Sequence, residues 1–144
     1  MTKRCVITGA GRGIGLEWAR VLLTAGHTVV AASRTVTPEL ESLVHDFPAK
    51  ASAVEADVTS NDLKKKLGEH PLLKAGVDLV INNAGIMKNE NGFTDLDLQF
   101  VRDSFEVNTL GPMRVAQALL PKLKSGTSPV IVNITSLMGS IADN

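Results

Sequence analysis

Three observations predict an α/β fold for this chain, with a doubly wound, all-parallel sheet of strand order 3-2-1-4-5. Short Val- and Ile-rich runs alternate with segments of helical period, the pattern that builds right-handed parallel crossovers. The runs Val29-Val30-Ala31-Ala32, Leu79-Val80-Ile81 and Val130-Ile131-Val132 are apolar without alternation, as expected for strands covered on both faces. A cluster of glycines follows the first apolar run directly, as a tight strand-to-helix turn requires.

The first strand is expected over Arg4–Thr8, with Cys5 as a small, buried, inert thiol. A helix follows over Gly13–Ala25, closed by Gly26 as its C-terminal cap, with Trp18 packed in the core or at an interface. The second strand spans Thr28–Ser33, and Pro38 suits the first turn of a helix over Pro38–Asp46. After a third strand, Ala51–Glu55, a helix is expected over Ser60–His70, capped by Ser60 or Asn61. Its run Lys64-Lys65-Lys66 reads as a solvated face. The fourth strand is Asp78–Asn82, and Asn89–Thr94 is a polar loop. A long helix over Asp97–Lys124, on which Met113 serves packing, leads to the fifth strand, Pro129–Thr135.

The chain has 144 residues, 44% hydrophobic, which fits one domain able to bury a core without disulfide or metal staples. Fifteen Lys and Arg balance fifteen Asp and Glu, which argues against broad electrostatic binding to nucleic acid or to an anionic membrane. A single cysteine excludes an intramolecular disulfide, so a reducing, cytoplasmic setting is expected. The start MTKRCVITGAG does not read as a signal peptide, and no apolar run reaches the roughly 18 residues of a membrane span. His27, His45 and His70 have no ligand spacing, and no metal site is expected.

The glycines Gly9, Gly13 and Gly15 fit the spacing GxxxGxG within Thr8-Gly9-Ala10-Gly11-Arg12-Gly13-Ile14-Gly15. Such a turn lets the backbone approach a pyrophosphate, which the following helix N-terminus then holds. No Gly-Lys-Ser/Thr follows, so an NTPase phosphate loop is disfavoured. NAD enzymes usually place an acidic residue at the end of the second strand to bind the ribose hydroxyls. Here the strand ends Ala32-Ser33-Arg34, and Arg12 lies in the glycine turn. Arginine pairs with a 2′-phosphate that a carboxylate would repel, so NADP(H) is expected in preference to NAD(H). The missing acid also speaks against S-adenosylmethionine.

On its ordered motifs the whole chain resembles the short-chain dehydrogenase/reductases, which have a Rossmann-like fold. Thr8–Gly15 matches the family's TGxxxGIG turn, with Gly9, Arg12, Gly13, Ile14 and Gly15 as cofactor-binding positions. Asp57-Val58 matches the segment whose Asp binds adenine. Asn82-Asn83-Ala84-Gly85 matches the family's NNAG, so Asn83, Ala84 and Gly85 line the cofactor groove by resemblance. Ile131–Ser136 is similar to the IVNISS that carries the catalytic serine, which makes Ser136 the match. Asn108 matches the asparagine of the family's catalytic tetrad. The NTLGP segment and the MGSIADN ending look similar to the C-factor/sniffer-like carbonyl reductases. The resemblance also implies self-association through the Asp97–Lys124 helix.

Two residues invite a separate physical reading. Val101, Phe105, Asn108, Pro112, Val115 and Leu119 are spaced as one helix stripe, so Asn108 must find partners there. Pro112 has no N–H for the Asn108 carbonyl, which the family uses to hold water. Ser136 stands at the carboxyl end of a strand, where open α/β sheets place ligands.

One part of the pattern is missing. The family's proton donor lies in a YxxxK motif about a dozen residues beyond the serine, and this chain contains no tyrosine. The final strands and helices that build the family's substrate pocket are absent too, so the sequence reads as an amino-terminal part of a longer reductase. The expected activity is hydride transfer between NADP(H) and a small-molecule carbonyl or alcohol. The alternatives are a non-catalytic NADP(H)-binding regulatory or interaction module and a structural fragment that binds nothing.

Overall fold

A computed structural model describes residues 1–88 and 93–139. The sequence's Asn89–Thr94 loop therefore lies largely outside the described residues, as does most of the MGSIADN ending. Five parallel strands form one sheet: β1 (Arg4–Thr8), β2 (Thr28–Ser33), β3 (Ala51–Glu55), β4 (Leu79–Asn82) and β5 (Val130–Asn133). Their order is β3-β2-β1-β4-β5, the doubly wound arrangement with β1 at the centre.

Alternate residues of β1 feed opposite faces. Cys5 and Ile7 join Val29, Ala31 and Ile81 beneath α1 (Gly13–Thr24) and α2 (Pro38–Asp46). Val6 joins Val30 and Val80 on the other face, with Leu67, Leu73 and the buried side of α4 (Gly111–Lys124). Burial on both faces explains why these strands are continuously apolar. The same expectation fails for β5, where Val130, Ile131 and Val132 are all exposed. Neither buried cluster takes in a β5 residue, because no described helix seals that edge.

Helix ends follow local chemistry. Gly26, at φ +85°, lets the chain leave α1, with its N–H bonded to the Leu23 carbonyl. Thr37 caps α2, accepting the Leu40 N–H, and Pro38 occupies the first helical position.

Four expectations are corrected. The segment 60–70 is not a regular α-helix. Ser60 does cap it, accepting the Asp62 N–H, but a wide π-type turn (Lys64–Gly68) follows. His70 is already extended (φ −62°, ψ 131°) because Pro71 comes next. The long helix is divided into α3 (Leu98–Phe105), a wide turn (Glu106–Leu110) and α4. Pro112 cannot donate to Asn108, and the ladder shifts, with the Gly111 N–H reaching back five residues to Glu106. The apolar stripe is thereby split: Val115 and Leu119 are buried, whereas Val101 and Phe105 are exposed. Trp18 and Met113, expected in core or interface packing, are exposed at 39% and 56%, which excludes the core. None of the described helices is long and apolar enough to cross a membrane.

Candidate functional site

The carboxyl ends of β1, β2, β3 and β4 open into a cleft of about 670 Å³. A sheet of this winding leaves its crevice there, where the strand order reverses beside β1. The glycine turn after β1 contributes Gly9, Gly11, Arg12, Gly13 and Ile14 to the cleft. Ser33, Arg34, Thr35 and Thr37 follow from the end of β2, and Ala56, Asp57 and Val58 from beyond β3. Asn83, Ala84, Gly85 and Ile86 come from the loop after β4, with Val107 from the wide helical turn.

Backbone geometry explains the glycines individually. Gly9 (φ +66°) leaves so little room that a Cβ would lie 2.8 Å from the Ala84 Cα. Gly13 (φ +55°) faces open space, so its requirement is conformational. Gly15 does not line the cleft as the motif implied. It packs beneath the turn, where a Cβ would run into the Gly9 carbonyl.

A pair of side chains braces the turn against the loop after β4. The buried Thr8 hydroxyl accepts the N–H groups of Asn83 and Ala84, each at 3.1 Å. Asn83 Nδ2 donates back to the carbonyls of Thr8 and Gly9, at 3.2 and 3.1 Å. Asp57 is oriented by its own turn, its Oδ1 accepting the N–H and hydroxyl of Thr59 at 2.8 Å.

Charge in the cleft is carried by Arg12, Arg34 and Asp57. Among the described residues neither guanidinium has an ion-pair partner. Arg12 stands at the N-cap of α1 with no capping bond from its side chain, and no acidic residue occupies the helix's first turn. Positive groups and the N-terminal end of α1 together favour an anionic ligand.

Asn108 is exposed rather than sitting on a buried stripe. Its side chain grips the Ile86 main chain at both ends: Oδ1 accepts the N–H and Nδ2 donates to the carbonyl, each at 2.9 Å. Asn108 thus positions a cleft-lining residue without itself facing the cleft. Ser136 lies three residues beyond β5, exposed, and is not among the cleft-lining residues. The strand ends leading to it are joined by Asn82 Nδ2, which donates to Asn133 Oδ1 at 2.8 Å.

The sequence profile described as short chain dehydrogenase matches residues 3–143. The chain belongs to this family. It is 36% identical over 143 residues to the oxidoreductase BOA17 of Botryotinia fuckeliana, covering 98% of this chain and 52% of that protein. A short-chain dehydrogenase from Streptomyces avermitilis superimposes with a TM-score of 0.87 at 33% identity, over 98% of this chain and 52% of that one. The NADPH-bound carbonyl reductase from chicken fatty liver also gives 0.87, at 30% identity, over 99% and 62%. This short-chain dehydrogenase chain spans about half the length of the curated relative BOA17.

Against this family background, the cleft-lining residues that motif reading did not single out are Gly11, Thr35, Thr37, Ala56, Ile86 and Val107. Gly11 was visible in the glycine run, but GxxxGxG leaves its position unspecified. Thr37 carried a signal too: a threonine directly before the Pro of a helix start is an N-cap. Ile86 and Val107 are apolar residues in a loop and a helix, and nothing local distinguishes them.

Proposed function

We propose that the cleft binds NADP(H) and that the chain contributes this site to an oxidoreductase acting on a carbonyl or alcohol. The observation carrying the reading is the placement of Arg12 and Arg34 in the same cleft, both without ion-pair partners among the described residues. No carboxylate stands at the end of β2, where Ser33 and Arg34 follow Ala32. The residues fit the group: Gly9 and Gly13 admit close backbone approach, Ser33 and the arginines suit a 2′-phosphate, and Asp57 suits the adenine. The bound nucleotide would supply or accept hydride.

The chain's own residues then have separable tasks. Thr8 and Asn83 hold the turn that receives the pyrophosphate. Asn108 fixes Ile86 and Val58 walls the adenine side. Gly15 lets α1 approach β1 closely enough for its N-terminus to reach the anion. Ser136, at the carboxyl end of the strand beside β4, donates a hydrogen bond to the substrate oxygen. A serine of ordinary acidity is a poor proton donor near neutrality, and the chain has no tyrosine. The position of Ser136 outside the cleft-lining residues favours a second reading, a non-catalytic NADP(H)-binding module. In either reading the stretch from Asp97 to Lys124 serves self-association through apolar residues exposed on α3 and α4, such as Phe105 and Met113, and a single cysteine suits a reducing, cytoplasmic setting.

The test is titration of the chain with NADPH and NADH. NADPH should bind tighter by about tenfold or more, the value of a charge-assisted phosphate contact, and Arg34→Asp should reverse the order. Equal affinities in the unaltered chain remove Arg34 from its role. Turnover of a carbonyl panel with NADPH separates the two readings: catalysis by these 144 residues alone would exclude the non-catalytic module.

A further inference from the structure

We propose that Thr37 is a positioning residue that sets the gap between Arg12 and Arg34, and with it the preference for a 2′-phosphorylated nucleotide. This rests on the NADP(H) reading above. The Thr37 hydroxyl donates to the Gly11 carbonyl at 2.6 Å, at the short end for O–H···O bonds, while accepting the Leu40 N–H at 3.3 Å. A hydroxyl has one proton, so the donation to Gly11 excludes any other. Gly11 directly precedes Arg12, and Thr37 stands three residues beyond Arg34. One side chain therefore joins the two segments that carry the arginines, through a bond between residues 26 positions apart in sequence.

A second contact limits the same gap from the opposite direction. A Cβ on Gly11 would stand 2.6 Å from the Ser33 Oγ and 3.2 Å from the Thr35 carbonyl. The glycine turn and the segment after β2 are thus drawn together at Thr37 and kept from closing further at Ser33. Below them the Ala10 N–H bonds to the Ala32 carbonyl at 3.0 Å, fixing the floor. Two guanidinium groups can share one phosphate only if their backbones are held at a set separation, because directional charge-assisted bonds weaken quickly with misalignment. Without the Thr37 bond, the loop bearing Arg34 is anchored at its far end by α2 and by Val36 against the core, neither of which ties it to the glycine turn. NADH, which lacks the 2′-phosphate, makes less use of that separation.

The experiment measures NADPH and NADH affinities calorimetrically for the unaltered chain and for Thr37→Val, Thr37→Ser, Gly11→Ala and Ser42→Gly. Ser42 is exposed on α2, and glycine there loosens the helix without touching the gap. The NADPH-over-NADH ratio should fall by about tenfold in Thr37→Val, the worth of one lost charge-assisted contact, and recover in Thr37→Ser. It should fall in Gly11→Ala, which pushes the gap open, and stay unchanged in Ser42→Gly. Circular dichroism checks that Thr37→Val, which also loses its cap, remains folded; if it does not, Gly11→Ala carries the test. An unchanged ratio in a folded Thr37→Val or Gly11→Ala variant, or a lowered one in Ser42→Gly, overturns the coupling and leaves the NADP(H) reading standing. An unaltered chain that binds neither nucleotide, or both equally, overturns that reading and this proposal with it.

Discussion

β3 and β5 are the two edge strands of one sheet, yet Ala51 of β3 is buried and the next three residues are half-buried, whereas all four residues of β5 are exposed. β3 has cover on both faces. α2 packs on one side, and Val54 meets the cluster of Leu63, Leu67 and Leu73 on the other. The edge is also tied, by the His70 ring against the Ser52 hydroxyl at 3.1 Å. β5 is the more strongly β-forming sequence of the two, and still its apolar side chains remain open. Strand formation and burial are thus separate outcomes, the first set by pairing with β4 and the second by whatever packs over the strand.

The largest expected effect follows one row across the sheet, in which Ile7 pairs with Ile81 and Ile81 with Val132. Ile7 is 0% exposed and Val132 37%. Ile7→Ala should cost about 2–5 kcal/mol in urea unfolding, and Val132→Ala less than about 1.5 kcal/mol. Equal costs would break the comparison, since they would mean that β5 is as well covered as β1.

A smaller effect lies where the buried centre meets the open edge. Asp78 accepts the N–H groups of Arg4 and Thr127, at 2.8 and 2.9 Å, and pairs with the Arg4 guanidinium at 3.2 Å. One carboxylate thereby joins β1, β4 and the turn that enters β5. Its desolvation raises the carboxyl pKa, but the two N–H groups and the guanidinium outweigh that and hold it below the usual range. Asp78→Ala should cost about 2 kcal/mol, the order expected for charged hydrogen bonds lost in a buried place. Because the folded carboxyl binds its proton less readily than the unfolded one, its contribution is full above about pH 4 and is lost as pH falls through the folded value. Acid unfolding of Asp78→Asn should be correspondingly less steep.

The smallest effect concerns the tied edge. Burial lowers the pKa of His70, whose Nδ1 accepts the Leu72 N–H, leaving the proton of the neutral ring on Nε2 toward Ser52. The unfolded ring takes a proton more readily, so the contribution is full above about pH 6.5 and declines as pH falls through and below that value. In His70→Gln, thermal unfolding between pH 8 and pH 5 should depend less on pH than in the unaltered chain. An unchanged slope would show that β3 owes its cover to apolar packing alone. Cys5 offers a reference at the sheet centre, its thiol pushed up to about 11 by burial, then by the nearby Asp78 charge.

Much of the architecture was legible before any coordinates. The bounds of β1, β2, α2 and β3 agree with the expectation residue for residue, because apolar runs, Pro38 and the glycines constrain the few residues beside them. The cleft was legible for the same reason: Gly9, Gly13, Arg12, Ser33, Arg34, Asp57, Asn83, Ala84 and Gly85 each belong to a short motif. The wide turn before α4 could have been anticipated from Pro112, whose missing N–H is a covalent fact.

Local chemistry by itself determined which residues become strands, where helices begin and stop, and which turns need glycine. The range of allowed backbone angles and the periods of strand and helix are properties of neighbouring residues. Only the tertiary structure decided that Asn108 grips Ile86, and that Gly15 packs beneath the turn it was expected to line. The Thr8–Asn83 brace joins residues 75 positions apart at 3.1 Å. Contacts and cover of that kind exist only when the whole sheet brings distant segments together, and no period or motif along the chain records them.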